Sequence, residues 1–566
     1  MKTAILFTLF IFTLMTATNS FAQQNAQKID ALLKQYHDYG QFNGSILVAE
    51  NGKVVYKKGF GMANMEWSIP NSADTKFRIA SVTKQFTAAL VLQLVEEGKI
   101  KLDGKITDYL TDYRKDTGEK VTIHQLLNHT SGIPDYRDVS RNPYSAADFV
   151  KKHVSGDLEF EPGSKYKYNN GGYSILGAII EKVTGKSYET VLQERILKPL
   201  GMTNSGYAHN STLLEKHASS YEKTPAGYVN APYIDMSIPY AAGSMYSTVE
   251  DLFKWDQSLY EDKILSAESK KLMFTPGLSN YGYGIRITDQ PLGKSDRKTK
   301  VIWHGGAGIN GFGSLISRAV EKRQTVILLD NGSNVLNLPK ITNSVFGILN
   351  GQPYDAPKKP IAETLYKIAV EKGVASAISE YRKLKAENSQ TFDFSENELN
   401  TLGYQLLSMK RTKDAIEIFK LNVEMFPKSA NAYDSLGETY LADNQKELAL
   451  ANYKKAVELD PTNANALLIV RRLEGNATKV DTSGFDAYVG EYQVTPSLTM
   501  TITREGDKLF AQLTGQPKLA VEPVSDTQFT IPEVKANISF EKDSAGKVTG
   551  LLLTQGTRTA KAMKIN

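Results

Sequence analysis

The 566-residue chain contains no cysteine. That absence excludes disulfide staples, thiolate metal sites and cysteine nucleophiles together. A long basic run is also missing. The 67 lysines and arginines stand against 62 acids for a formal charge of +5, and the densest basic stretch, Asp296-Arg297-Lys298-Thr299-Lys300, reads as a solvated turn. Nucleic acid is therefore not an expected partner. Histidine is scarce, at seven, and no two form a His-Glu-x-x-His pair; His124 and His129, five apart, do not share one face of a helix. No metal and no organic cofactor is expected. Gly172-Tyr173-Ser174-Ile175-Leu176 lacks the closing glycine of a lipase-like nucleophile elbow, and no glycine-rich phosphate loop follows a strand. One apolar run stands out, Ala4 to Leu14, after Met1-Lys2 and before Ser20-Phe21-Ala22. Its length and flanks fit a secretory signal peptide rather than a transmembrane helix. Export to the periplasm or the medium is expected, with cleavage after Ala22 and no stable membrane anchor.

What is present is ordinary soluble composition, 41% hydrophobic and 23% charged, in a chain long enough for three or four domains of roughly 150 residues. Glu50-Asn51-Gly52-Lys53 between two apolar runs predicts a hairpin. The spacing then predicts a long buried helix from Ser81 to Glu97, closed by Gly98. Strand-like runs return at Val301-Ile302-Trp303, Gly313 to Ser317 and Thr325 to Leu329. One sheet built from both ends of a domain, with a helical insertion between, accounts for this order. Past the linker Pro357-Lys358-Lys359-Pro360, a repeat of 34 residues emerges: Leu402, Gly403, Ala415, Phe419 and Pro427 recur as Leu436, Gly437, Ala449, Tyr453 and Pro461. This resembles the tetratricopeptide pattern, with 361–387 as a degenerate leading hairpin and Ala464 to Leu473 as a capping helix. From Phe485 the period changes to two, predicting a small antiparallel β domain, a sandwich or a half-open barrel. Its opening, Tyr488-Val489-Gly490-Glu491-Tyr492, is similar to lipocalin-like domains appended to exported hydrolases.

With metal and thiol chemistry set aside, serine activated by lysine remains. Ser-x-x-Lys alone says little, since it occurs at Ser81, Ser164, Ser220, Ser295, Ser539 and Ser544. Ser81-Val82-Thr83-Lys84 differs by its place. It opens the buried helix, where unpaired amides favour developing negative charge. Three residues on, Lys84 projects from the same face, and desolvation there lowers an amine's pKa enough to let it take a serine proton.

Two further runs complete a set. They are Tyr168-Asn169-Asn170, within Pro162 to Gly177, and Trp303-His304-Gly305-Gly306-Ala307. In content and order, with Ser81-Val82-Thr83-Lys84, they resemble the three motifs of the penicillin-recognising serine hydrolases, which include class C β-lactamases, DD-peptidases, D-aminopeptidases and related esterases. Phe77 to Ala80, Leu126 to Pro134, and Gly243 to Leu252 look the same way. The resemblance covers roughly residues 25–350. It implies Ser81 as the acylated nucleophile and Lys84 and Tyr168 sharing general-base work, without saying which leads. It implies Asn170 orienting the lysine and binding the substrate amide, and an oxyanion hole from the amides of Ser81 and Ala307, worth about 3 kcal/mol per donor. Gly305 and Gly306 fit a strand edge that substrate approaches closely. The sequence departs from the β-lactamase form at His304 and Gly305, where Lys-Thr usually supplies a cation and a hydroxyl for the substrate carboxylate. His-Gly-Gly looks more like the D-aminopeptidase and esterase branches. His129 reads as a structural histidine under a loop, and Tyr136, Tyr166 and Tyr173 as residues lining the cleft.

The resulting expectation is a multidomain protein. Residues 1–22 form the signal peptide, 23–352 an α/β β-lactamase/transpeptidase-like domain of antiparallel sheet plus helical region, 361–475 helical tetratricopeptide-like repeats, and 482–566 the small antiparallel β domain. Its expected work is acyl-enzyme hydrolysis of small esters, amides or D-amino-acid-containing peptides. A class C-like β-lactamase, or a recognition protein that works through its repeats, is the alternative. The expected partners are a small-molecule or peptide substrate and a protein bound by the repeats.

Overall fold

A computed structural model of the protein describes residues 23–136, 143–461, 463–474, 482–495, 498–514, 516–523, 527–534, 536–543, 546–555 and 558–565. The signal-peptide reading falls outside the described residues. The chain divides into two compact units, Met1–Lys358 and Lys359–Asn566.

The first unit begins with a helix over residues 23–38 (α1). Strands β1 (Gly44–Glu50) and β2 (Lys53–Phe60) follow as a hairpin whose turn residues Asn51 and Gly52 have φ of 52° and 74°. Positive φ at both central positions matches the right-handed twist of the strands, and Asn-Gly adopts it at least cost. The chain then leaves the sheet for a largely helical region. It includes α2 (Thr83–Glu96), α3 (Ile123–Leu127) and α4 (Asn170–Thr184). It returns as β3 (Arg286–Pro291), β4 (Lys298–Ile309), β5 (Phe312–Ala319) and β6 (Gln324–Asp330), and ends in α5 (Leu338–Leu349). The sheet runs β3-β4-β5-β6-β1-β2, antiparallel throughout, so both ends of the unit build it.

The central strands are buried almost without interruption because both faces are covered. On β1, Ile46 and Val48 join a cluster with Leu32 and Leu33 of α1 and Ile341 and Val345 of α5. Leu47 and Ala49 face the opposite cluster, built from the helical region. Residues two apart share a face, so each strand feeds both cores. Helix α2 runs through the second of these. It is buried at every position from Thr83 to Leu92, and the Phe86 ring stacks on Trp255 with centroids 4.4 Å apart. A helix enclosed on all sides is a rigid mount for what stands at its N-terminus.

In the second unit, helical hairpins form from α6 (Ile361–Lys372) and α7 (Val374–Glu387), α8 (Glu396–Ser408) and α9 (Thr412–Met425), and α10 (Ala430–Ala442) and α11 (Lys446–Leu459). Helix α12 (Ala464–Leu473) comes last. The repeat has a packing cause. A Cβ on Gly403 would strike the Phe419 ring, and one on Gly437 would lie 3.0 Å from the Tyr453 ring. These two hairpins cross where glycine lets the partner helix's aromatic ring close in.

Eight antiparallel strands between Gly490 and Lys564 then form a closed barrel. Of the sandwich and the barrel that the sequence predicts for this small antiparallel domain, the barrel is the form present, and it is closed rather than half-open. Tyr492 and Gln493 of the first strand pair with Lys564 and Met563 of the last, and this closes the ring. Phe485, Tyr488, Phe529 and Phe540 pack together in its core.

Candidate active site

Ser81 is not in the first turn of the long helix, as the spacing predicts, but in a 3-10 turn, Ala80–Val82, that leads into α2 at Thr83. Ala80 takes φ of 45°, a conformation costly for a residue with a Cβ. Strand β4 presses on this turn. A Cβ on Gly306 would run into the Ile79 carbonyl oxygen and the Ser314 hydroxyl, and would sit 3.1 Å from the Ala80 Cβ. Gly306 is thus demanded by the turn that carries the serine, whereas the sequence reading assigned the close approach to substrate. Gly305 is under no such pressure, its nearest neighbours being 3.6 and 3.7 Å from a Cβ. Pairing of β3 to β4 ends at Arg286 with Trp303, so His304 to Ala307 continue past that partner strand. Ala307 is exposed and Ser81 only partly covered.

Lys84 is 0% exposed. Its Nζ lies 3.0 Å from Ser81 Oγ, 2.9 Å from Asn170 Oδ1 and 2.8 Å from the Ala242 carbonyl oxygen. Burial pulls the amine down to about 7, against the opposing charge of Asp135. The amide orientation of Asn170 is settled by its other side, because Nδ2 donates to Asp135 Oδ2 at 3.1 Å. Oδ1 therefore faces the lysine. The Asp135 carboxylate also accepts the N–H groups of Asn170 and Gly171, which caps α4 and aims Asn170 into the site. The first turn of α4 is further held by Asn169, whose Oδ1 accepts from Gly172 N–H.

A neutral amine fits this environment in one way. It has two hydrogens, and Asn170 Oδ1 and the Ala242 carbonyl can only accept. Its lone pair is then left for the Ser81 hydroxyl. Tyr168 sits one residue before the cap of α4, with the Lys84 Nζ 4.9 Å from its ring centroid. Loss of solvent raises its phenol above the ordinary value, and a hydrogen bond with Ser81 partly opposes the rise.

His304 is buried, and both ring nitrogens are engaged. Nδ1 lies 2.7 Å from the Gly305 carbonyl and Nε2 2.8 Å from the Tyr281 hydroxyl. A carbonyl only accepts, so Nδ1 carries the hydrogen and Nε2 accepts from Tyr281. Burial and the neighbouring Lys84 hold His304 down to about 3, so it is neutral at working pH. Sequence reasoning missed Tyr281, Asp135, Arg286 and the Ala242 carbonyl. Arg286 donates to the Tyr166 hydroxyl at 3.1 Å and lies over the Tyr281 ring. Asp135 comes directly after the run ending in Pro134, and Tyr281-Gly282-Tyr283-Gly284 is a glycine–aromatic run that could have drawn notice.

The Beta-lactamase family profile matches residues 27–338, more than half of the chain. The protein belongs to the beta-lactamase family. Within it, this chain is 31% identical over 373 residues to Penicillin-binding protein 4* of Bacillus subtilis (strain 168), covering 60% of this chain and 79% of that one. Among solved structures, the octameric penicillin-binding protein homologue from Pyrococcus abyssi aligns with 95% of this chain and 99% of its own at a TM-score of 0.50 and 20% identity, a likeness of fold. A D-amino acid amidase from Ochrobactrum anthropi SV3 aligns with 58% of this chain and 99% of its own, at 27% identity and a TM-score of 0.49. A Tetratricopeptide repeat profile matches residues 430–463, covering α10 and α11, and a Domain of unknown function (DUF3471) matches 474–564. This beta-lactamase-family chain is a serine hydrolase, with helical repeats and a barrel following its catalytic domain.

Proposed function

We propose that the protein is an exported hydrolase that forms an acyl-enzyme on Ser81 with small esters or amides, D-amino-acid-containing peptides among them. The observation that carries this reading is the buried Lys84 amine, with two obligate acceptors taking its hydrogens and the Ser81 hydroxyl as its third contact. In the proposed reaction Lys84 is the base. As the Ser81 oxygen bonds to the substrate carbonyl carbon, its proton passes to the Lys84 nitrogen. The resulting oxyanion is met by the backbone N–H groups of Ser81 and Ala307. Tyr168, whose raised pKa keeps it protonated, gives its proton to the departing oxygen or nitrogen as that bond breaks, and the Lys84 ammonium replaces it. Water then attacks the acyl-enzyme by the same route in reverse. Asn170 holds the amine in place and presents its amide to the substrate.

The environment of His304 favours esters and simple amides over β-lactams. A neutral ring with both nitrogens engaged, beside a glycine, offers neither the cation nor the hydroxyl that a β-lactam carboxylate would use. Export is supported by the pattern of residues 1–22, and no helix among the described residues is long and apolar enough to cross a membrane. For the repeats we propose a protein partner, a reading supported by the repeat pattern alone.

Initial rates on a 4-nitrophenyl ester and on a chromogenic cephalosporin, each beside Ser81→Ala, test the reading. Ester turnover that vanishes in the variant, with little cephalosporin cleavage, supports it. Fast Ser81-dependent cephalosporin cleavage would make the protein a β-lactamase and overturn the weight placed on His304.

A further inference from the structure

The residues on either side of Tyr168 both donate their backbone N–H to the same residue. The N–H of Lys167 donates to the His129 carbonyl at 3.0 Å, and the N–H of Asn169 donates to the His129 ring Nδ1 at 3.2 Å. The His129 ring also lies against the Tyr168 ring, with centroids 4.3 Å apart, and it is backed by Tyr281 at 4.6 Å and Tyr173 at 5.2 Å.

His129 holds this place in an unusual state. It follows α3 and its C-cap Asn128, with φ of 62° and the Thr130 N–H reaching back to the Gln125 carbonyl at 2.9 Å. That is the left-handed position after a helix, where glycine or asparagine is the common choice. A backbone N–H can only donate, so Nδ1 accepts and the neutral ring carries its hydrogen on Nε2. This Nε2 is buried without a hydrogen-bond partner. Ending a helix calls for neither the ring nor a dry N–H. What the ring does supply is the acceptor and the flat surface that Tyr168 meets.

We infer that His129 is a positioning residue for Tyr168. Its carbonyl and Nδ1 clamp the backbone on either side of the tyrosine, and its ring sets the direction of the phenol. The inference rests on Tyr168 being the proton carrier to the leaving group.

That role gives a readout that a loss of folded protein does not move. A 4-nitrophenolate departs without a proton, whereas an ethoxide needs one. The test compares kcat/KM on 4-nitrophenyl butyrate and ethyl butyrate, which share an acyl group. The variants are His129→Gly, which keeps the positive φ and the carbonyl but removes Nδ1 and ring, and His129→Asn, which keeps an acceptor on the side chain but removes the ring. Tyr168→Phe is the reference. His129→Gly is expected to lose about tenfold more on the ethyl ester than on the nitrophenyl ester, with His129→Asn between it and the parent. If the glycine variant does not fold, the asparagine variant decides: a loss confined to the ethyl ester supports the inference, and an equal loss or none on both esters overturns it. Equal losses in His129→Gly, beside a selective Tyr168→Phe, overturn the inference and leave the reading of Tyr168 intact. A Tyr168→Phe variant that slows both esters alike sinks that reading, and the inference with it.

Discussion

The Ala242 carbonyl oxygen lies 2.8 Å from the Lys84 amine, a backbone acceptor that no side-chain substitution at 242 removes. It is delivered by the turn Tyr240–Gly243, which packs on α4 where a Cβ on Gly177 would strike both the Tyr240 ring and the Ala241 Cβ. The lysine is therefore held by groups from three separate stretches of chain. Its charge state governs what it does to Ser81, and this is measurable.

Ester kcat/KM is expected to rise with pH through about 7, the value to which burial brings Lys84. Asp135 favours the ammonium, so Asp135→Asn should move this rise to lower pH. Lys84→Met should cost at least about 100-fold at pH 8. Stability carries the same signature. Folding a group whose pKa is lowered releases its proton, so the penalty for burying the ammonium is full below about pH 7 and fades as pH climbs toward the ordinary lysine value of 10.5. The melting temperature of the parent should gain on that of Lys84→Met across that window. A pH-independent gap would contradict a lowered amine.

Gly306→Ala should disable the nucleophile without unfolding the sheet. The new Cβ would push the Ile79–Ala80 turn away from β4, and a shift of about 1 Å at a reacting atom costs about 100-fold. Gly305→Ala, which has ordinary room, should melt close to the parent temperature. Rates and thermal melts of both variants check the contrast. A fully active Gly306→Ala would show that the turn tolerates displacement.

In the second unit, Glu398 of α8 accepts the Ala362 N–H at the start of α6 at 3.0 Å, and burial raises its carboxyl to about 7. A raised acid binds its proton more tightly when folded, so this contribution is full at low pH and is lost as pH rises from the ordinary 4.5 through about 7. Glu398→Gln should flatten that decline. The three tryptophans, Trp67, Trp255 and Trp303, all lie in the first unit, so tryptophan fluorescence during urea unfolding reports that unit, and the part of the far-UV circular dichroism change that it does not share follows α6 to α12. The same slope in parent and variant would remove Glu398 from the account.

Much of this site could be read from the chain because its chemistry is local. Ser81 and Lys84 are three apart at a helix entrance, and Tyr168 and Asn170 straddle the cap of α4. Desolvation of Lys84 followed from the apolar residues around it in sequence. Tyr281, Asp135 and the Ala242 carbonyl were not legible, since each reaches its partner only through packing between distant segments. The positive φ of His129 left no pattern either, because a histidine there replaces the glycine that would have signalled a helix end. The helical hairpins announced themselves through Gly403 and Gly437, whose spacing repeats a crossing. Barrel closure did not, because a period of two gives each strand its inward face but is silent on which strand is its neighbour.

The final strand of the barrel, Arg558–Lys564, is the piece that joins the last neighbour to the first. Truncation of the chain before Arg558 would do more than shorten it. It would uncover one edge on the strand Gly490–Thr495 and another on Val548–Gln555, each a row of unpaired backbone groups able to template pairing with a second molecule. A nick or premature stop within that last strand would thus turn a self-contained ring into an open sheet prone to self-association.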